Sequence, residues 1–294
     1  MTEVQSGLPL VSVLISSYNH ANFIEASIRS VYAQDYPCIE LLVVDDGSRD
    51  DSVAVIQRLQ EELGFNFLVQ ENKGLCTTLN EMIARSSGRY IAPLGSDDVM
   101  LPERLSLQVA FMEQHPETGI CAGGILLIDG EGQPLSDRKQ RHRPARRLDF
   151  DDLFMDRQPG PPAPTLLFRR SALEEVGGFD PSIRIEDYYV ELRIAHAGYF
   201  IDILEQPLAL YRVHGNNTYK NRRLMIDTEL AIYKRFEDHP GYEATRLRYL
   251  NAMFAKVASE DKALAGELLA QIPWRSRNLK TLKGLWRYCF KRIA

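Results

Sequence analysis

Along the first third of the chain, short runs of apolar and β-branched residues alternate with stretches whose apolar positions recur every three or four residues. Val11 to Ser16 predicts a buried strand. After the loop Ser17-Tyr18-Asn19-His20, Asn22 followed by Glu25 reads as a helix cap, and Ile24, Ile28 and Val31 repeat at helical spacing before Pro37. Ile39 to Val44 predicts a second strand, ending in Asp45-Asp46-Gly47-Ser48, and a helix follows through Val53, Ile56, Leu59 and Leu63. Phe65 to Val69 predicts a third strand, leading through Glu71-Asn72-Lys73-Gly74 into a helix over Leu79, Met82 and Ile83 that stops at Gly88. Tyr90 to Leu94 predicts a fourth, opening into Gly95-Ser96-Asp97-Asp98, with Pro102 placed for the first turn of the next helix. This is the pitch of βα units, so the pattern predicts an α/β fold with a mostly parallel central sheet flanked by helices. Ligands of such sheets bind beyond the carboxyl ends of the strands, and Asp46, Lys73, Asp97 and Asp98 all follow strand ends.

Farther along, Ile120 to Ile128 reads as hairpin-like with a turn at Gly130, and residues 133–164 as a long loop or lid rich in Arg, Pro, Asp and Gln. Order resumes at Thr165 to Arg169, with a short helix after Ser171 ended by Gly177-Gly178. Ile185-Glu186-Asp187 opens a helix containing Leu192 and Ile194, which Gly198 closes. Strands near Phe200 to Leu204 and Leu208 to Val213 lead to His214, and residues 221–294 read as helices.

Composition narrows the class. Of 294 residues, 45% are hydrophobic and 26% charged, ordinary values for a globular protein and unlike a disordered or fibrous chain. A net charge of −5 argues against a nucleic-acid partner held by a broad basic surface. Cys38, Cys76, Cys121 and Cys289 lie far apart with no CxxC pair, the pattern of reduced thiols. The N-terminus lacks a basic leader and no window reaches the ~20 apolar residues that span a bilayer, so the expectation is a cytoplasmic protein, neither exported nor membrane-integral. The last 24 residues hold seven Lys or Arg and no acid, interleaved with Trp274, Leu279, Leu282, Leu285, Trp286 and Phe290. That fits either a helix at the anionic inner face of the membrane or a solvated tail packed on its domain.

Several side chains offer chemistry, each with a plainer alternative. Asp97 and Asp98, between a strand and a helix, present hard oxygens for a divalent cation, though two acids in a loop are common. Asp46 can accept from a base or a ribose hydroxyl, or can serve with Asp45 and Ser48 as a turn and helix cap. Lys73 offers a point charge to a phosphate, or is a solvated surface lysine. Glu186-Asp187 can supply a general base, or complement a helix dipole. His214 can ligate a metal, or be a structural histidine. No GxGxxG follows the first strand, which removes the usual signature of a nicotinamide-linked oxidoreductase.

In order, the segments SYNH, DDGS, ENKG, GSDD, GGFD with IED, and YRVHGNN span Val11 to Asn217, and this series resembles the family 2 glycosyltransferases of the GT-A fold. The resemblance implies a Rossmann-like nucleotide-binding half over about residues 8–130, an acceptor half over about 131–220 and a helical C-terminal region, 221–294. It implies an inverting, metal-dependent hexosyltransferase of cell-surface polysaccharide or glycolipid synthesis. The donor would be a UDP-, dTDP- or GDP-sugar, the acceptor a saccharide or lipid-linked hydroxyl, and the cofactor Mn²⁺ or Mg²⁺. By position, Ser16, Tyr18, Asn19 and Asp46 match the residues around base and ribose, and Lys73 falls in the segment that closes over the nucleotide. Asp97 matches the metal-coordinating acid with Ser96 and Asp98 beside it, His214 a position that reaches metal or diphosphate, Asp187 the base, and Glu186 the acceptor site. Where many relatives carry an acid two positions before Asp97, this chain has Gly95, leaving Ser96, Asp98 or water to compensate. That departure sets a second expectation beside the first: a nucleotide-sugar-binding or assembly protein on the same fold, without catalysis.

Overall fold

The computed structural model describes residues 7–135, 144–215 and 221–290. Part of the expected lid (136–143), Asn216 and Asn217 of the last motif, and the basic Lys291 and Arg292 lie outside the described residues. The chain divides into two compact units, Met1–Leu153 with Gln158–Asn217, and Phe154–Arg157 with Thr218–Ala294.

The first unit is built on one sheet. Its strands are β1 (Val11–Ser17), β2 (Ile39–Asp45), β3 (Asn66–Val69), β4 (Tyr90–Pro93), β5 (Val99–Met100), β6 (Thr118–Ile128), β7 (Arg146–Leu148), β8 (Leu167–Arg169) and β9 (Phe200–Arg212). They lie in the order β3-β2-β1-β4-β8-β6-β9-β5, with β7 paired to β9. Over β3, β2, β1 and β4 the pairing is parallel throughout. Strand β8 then runs antiparallel to both β4 and β6, while β6 and β9 are parallel. The helices are α1 (Ile24–Tyr32), α2 (Ser52–Leu63), α3 (Leu75–Arg85), α4 (Arg104–Gln114), α5 (Phe150–Phe154), α6 (Arg170–Glu175) and α7 (Glu186–His196).

The parallel strands are apolar on both faces: Val11, Val13 and Ile15 of β1, Leu41 and Val43 of β2 and Tyr90 and Ala92 of β4 join one core cluster, and Leu14, Leu42, Val44 and Ile91 at the intervening positions are buried as well. Strands covered on both faces require that pattern. Because these strands all point one way, the loops that leave β1, β2, β3 and β4 emerge along a single edge.

Several local expectations are corrected. Helix α1 begins at Ile24, and its N-cap Phe23 makes no side-chain cap bond, so Asn22 and Glu25 form no capping box. Glu25 instead pairs with Arg29 and Arg58 on the surface. Asp45 and Ser48 close a tight turn through Ser48 N and Oγ, at 2.8 and 2.6 Å, rather than capping α2, whose N-cap is Asp51. Residues 120–128 belong to one long strand whose main partner is β9, although Ile128 does bridge to Pro134 across the turn. The stretch 144–164 carries β7, α5 and a 3₁₀ turn, Ala163–Thr165. Finally, the two strands expected around Pro207 are one: Gly124 faces Pro207 at a register shift. Opposite, a Cβ on Gly123 would meet the Leu208 side chain at 2.4 Å, so glycine lets β6 and β9 stay paired past the proline.

The second unit holds α8 (Arg222–Lys234), α9 (Tyr242–Val257), α10 (Lys262–Ala270) and α11 (Leu279–Phe290). Ile226, Leu250, Phe254, Val257, Leu264 and Leu268 form its core. Among the described residues, no helix is long and apolar enough to cross a membrane.

Candidate active site

The loop after β4 is folded around Gly95. Asp98 N donates to the Gly95 carbonyl at 3.1 Å, and Ser27 of α1 donates to the same carbonyl at 2.9 Å. A Cβ on Gly95 would lie 2.9 Å from both Asp97 Oδ1 and Asp98 Oδ2. The space in which a longer residue would sit is thus occupied by the two carboxylates that follow it.

Those carboxylates have different surroundings. Asp98 is buried, and its Oδ1 accepts from Arg212 N at 2.9 Å. Burial and the Asp97 charge push its carboxyl up to about 8, against the opposing pull of Arg212 and Arg104. Arg104 is fully buried, donating to the carbonyls of Pro164 (2.7 Å) and Leu166 (3.0 Å). Arg212 donates from Nε to the Asp97 carbonyl at 2.8 Å and from Nη1 to the Asp129 carbonyl at 3.1 Å, tying β9 to this loop. Asp97 turns outward instead, its Oδ2 2.8 Å from His214 Nε2.

A third group joins them. His20, in the loop after β1, lies with Nδ1 2.7 Å from Ser96 Oγ, and its ring is 5.8 Å from that of His214. Phe23 stacks on His214 at 5.1 Å and lies edge-on to His20 at 5.7 Å, holding both rings. Burial is the main cause that lowers the His20 pKa, so the ring is neutral and able to ligate. His20, Asp97 and His214 offer ligand atoms within 4.8 Å of one another, the only such group of metal-ligating residues among those described. Two imidazoles and a carboxylate suit a first-row cation such as Mn²⁺ better than Mg²⁺, which prefers an all-oxygen shell. The donor set therefore fits the expected cofactor.

The other sequence-marked residues lie along the same edge. Asn19 holds a left-handed backbone (φ 55°) and is bound to the β2 turn through Ser48 Oγ and Arg49 N, each at 2.8 Å. Ser16 is half-buried and Tyr18 exposed. Asp46 is buried and braces the start of α3, accepting from Gln70 Nε2 (2.8 Å), Lys73 N (2.9 Å) and Gly74 N (2.9 Å). The Lys73 ammonium leans away, pairing with Glu81 at 2.8 Å.

Glu186 and Asp187 begin α7. They reach this edge through Cys76 of α3, whose thiol contacts the Ile183 carbonyl at 3.6 Å and whose pKa their charges raise after burial. Asp187 Oδ1 accepts from Tyr188 N at 2.8 Å. Burial and the Asp187 charge push Glu186 up to about 8, and burial raises Asp187 as well. One helical turn on, Glu191 is only 3% exposed and is held well above the usual carboxylate range, by burial first and by Asp187 second.

His20, Arg104, Arg212 and Glu191 were not singled out from the sequence. His20 and Arg212 carried a signal, since they stand inside the SYNH and YRVHGNN segments.

The glycosyl transferase family 2 model matches residues 12–177. A Bacillus subtilis (strain 168) glycosyltransferase named for teichuronic acid biosynthesis, TuaG, is 29% identical over 88% of this chain and 98% of its own. Among solved structures, S. aureus TarS 1–349 in complex with UDP-GlcNAc superposes with a TM-score of 0.68 at 17% identity, covering 91% of this chain and 82% of that one. The mannosyltransferase PcManGT from Pyrobaculum calidifontis, in complex with GDP-Man and Mn²⁺, gives 0.59 at 19% identity over 97% and 88%. At such identities the structural likeness speaks for the fold.

Proposed function

The chain belongs to glycosyltransferase family 2 and has the α/β fold of the GT-A enzymes, and from that premise we propose that it transfers a sugar from a nucleoside-diphosphate sugar to an acceptor hydroxyl with inversion. The observation that carries the reading is the convergence of His20, Asp97 and His214 at the strand edge that also bears Asp46 and, through Cys76, Glu186-Asp187.

His20, Asp97 and His214 would hold a divalent cation, Mn²⁺ in preference to Mg²⁺, with Asp98 behind them and Ser96 fixing the His20 ring. When bound, such a cation supplies positive charge against the diphosphate leaving group. Asp98, buried on a backbone N–H, keeps the loop in shape for Asp97, and Phe23 fixes the plane of His214. Asp46 uses three acceptor positions on the segment after β3, and a carboxylate has about four. The remaining one, with Ser16, Tyr18 and Asn19, is left for base or ribose, while Lys73 would have to leave Glu81 to reach a phosphate.

Asp187 takes the acceptor proton. Two neighbouring carboxyls in a poorly solvated place cannot both ionise cheaply, so the pair shares one proton near neutrality. A base raised toward neutral pH is the better matched to abstracting a hydroxyl proton. Donors are UDP-, dTDP- or GDP-sugars. The acceptor is a saccharide or lipid-linked glycan, in keeping with the name of the Bacillus relative.

The test is nucleoside-diphosphate release from a panel of these sugars, with and without Mn²⁺ and with a glycan acceptor. The expected result is Mn²⁺-dependent release with one nucleotide preferred and an inverted product. Nucleotide-sugar binding by calorimetry with no release under any condition would instead make the chain a non-catalytic binder.

A further inference from the structure

The last described helix carries a second apolar face, turned outward. On α11, the side facing α9 carries Thr281 and Gly284, both buried, and a Cβ on Gly284 would meet the Phe254 ring at 2.6 Å. The same inward face carries Leu285 and Tyr288, packed against the core of this unit. The outward side carries Leu279, Leu282, Trp286 and Phe290, exposed at 76, 57, 61 and 76%, and Trp274 lies open at 75% just before the helix. At 3.6 residues per turn, Leu279, Leu282, Trp286 and Phe290 make one stripe, and Lys280, Lys283 and Arg287 fall together along one border of it.

We propose that this face is a docking surface for an anionic lipid bilayer, on which α11 lies flat. Charge selects the occupant. The last 24 residues carry seven basic side chains and no acid on a chain whose net charge is −5, so a second copy would set like charges together where anionic headgroups oppose them. Residue type agrees: both tryptophans of the chain, Trp286 on this face and Trp274 in the turn just before the helix, are exposed, and tryptophan and lysine with their apolar bodies and polar tips suit the headgroup boundary. Length agrees as well, since the 12 residues of the helix are too few to span. The inference goes beyond the proposed transfer reaction and does not depend on it.

The two tryptophans make the test direct. Emission of the full chain is followed on adding vesicles of phosphatidylcholine alone or mixed with phosphatidylglycerol, each with and without brominated acyl chains. A blue shift and bromine quenching on the anionic vesicles, both weakened by high salt, are expected. Leu282→Gln with Phe290→Gln keeps both reporters and abolishes the shift, and Lys280→Glu with Lys283→Glu weakens vesicle binding by at least about 25-fold, at about fivefold per charge. Circular dichroism checks that these outward substitutions leave the fold intact. A folded protein whose emission ignores anionic vesicles overturns the proposal, as does equal binding to both lipids. So does a self-associated form, seen by light scattering, that Leu282→Gln dissolves.

Discussion

Asp97-Asp98 and Glu186-Asp187 are both pairs of adjacent acids at the edge of one sheet, yet their surroundings differ in kind. Around the first pair stand Arg212, Arg104 and His214, and each carboxylate is given its own partner, a backbone N–H for Asp98 and an imidazole for Asp97. Around the second pair the fold supplies backbone N–H groups from the start of its own helix and a further buried acid, Glu191. Burial raises a carboxyl in both pairs, Asp98 and Glu186 alike to about 8, so the difference lies in the partners: β9 and an imidazole hold the first pair, while a further acid stands beside the second. The contrast separates a pair suited to holding a cation from one suited to handling a proton.

The largest expected effect of breaking this contrast is at Asp187. Asp187→Asn lowers transfer by about 10²- to 10⁴-fold while donor affinity is retained, as steady-state rates and calorimetry would register. A variant with ordinary turnover removes Asp187 from the role. Next, Asp97→Asn weakens Mn²⁺ binding by more than the about 10- to 100-fold typical of losing a supporting partner, read by titration of the metal. Unchanged Mn²⁺ affinity would leave the His20–Asp97–His214 cluster without its assigned function.

Smaller effects sharpen the distinction. Gly95→Ala places a methyl 2.9 Å from both carboxylates, and crowding of this kind costs about 1–3 kcal/mol, visible in urea denaturation. Stability equal to the parent would show that the loop yields easily. Glu191→Gln probes the proton-holding side. Glu191 titrates above its ordinary 4.5 in the folded state, so folding binds its proton. Its unfavourable contribution is absent below the unfolded pKa and grows as pH rises toward the folded one. The variant therefore melts higher than the parent at pH 8, by about 2–4 °C per kcal/mol relieved, with the gain vanishing near pH 4. A gain independent of pH would contradict this.

Much of the first unit was legible because parallel strands buried on both faces announce themselves as apolar runs, and their ends are punctuated by Gly, Asp and Ser. Where tertiary pairing overrode local signals, the pattern misled. Pro207 reads as a strand break, and only the glycines opposite it, Gly123 and Gly124, reveal why β9 continues. Strand β5 is two residues long and carries no periodicity at all. Asn22 and Glu25 carry the letters of a capping box, but Glu25 is engaged by two arginines. In the site, Asp97, Asp98, Glu186, Asp187 and His214 stood in recognisable segments, whereas His20 gains its meaning only when the end of β1 lies beside that of β4. Glu191 looks like any polar helix position, and its burial is set by packing that one sequence does not display.

The most direct test of the two-pair account titrates one nucleoside diphosphate, with and without Mn²⁺, into Asp97→Asn and Asp187→Asn side by side, and then measures transfer by both. Asp187→Asn is expected to show parental Mn²⁺-linked binding with transfer lowered by about 10²- to 10⁴-fold, and Asp97→Asn to lose the Mn²⁺-linked part of binding. Mn²⁺-linked binding intact in Asp97→Asn and lost in Asp187→Asn would contradict it.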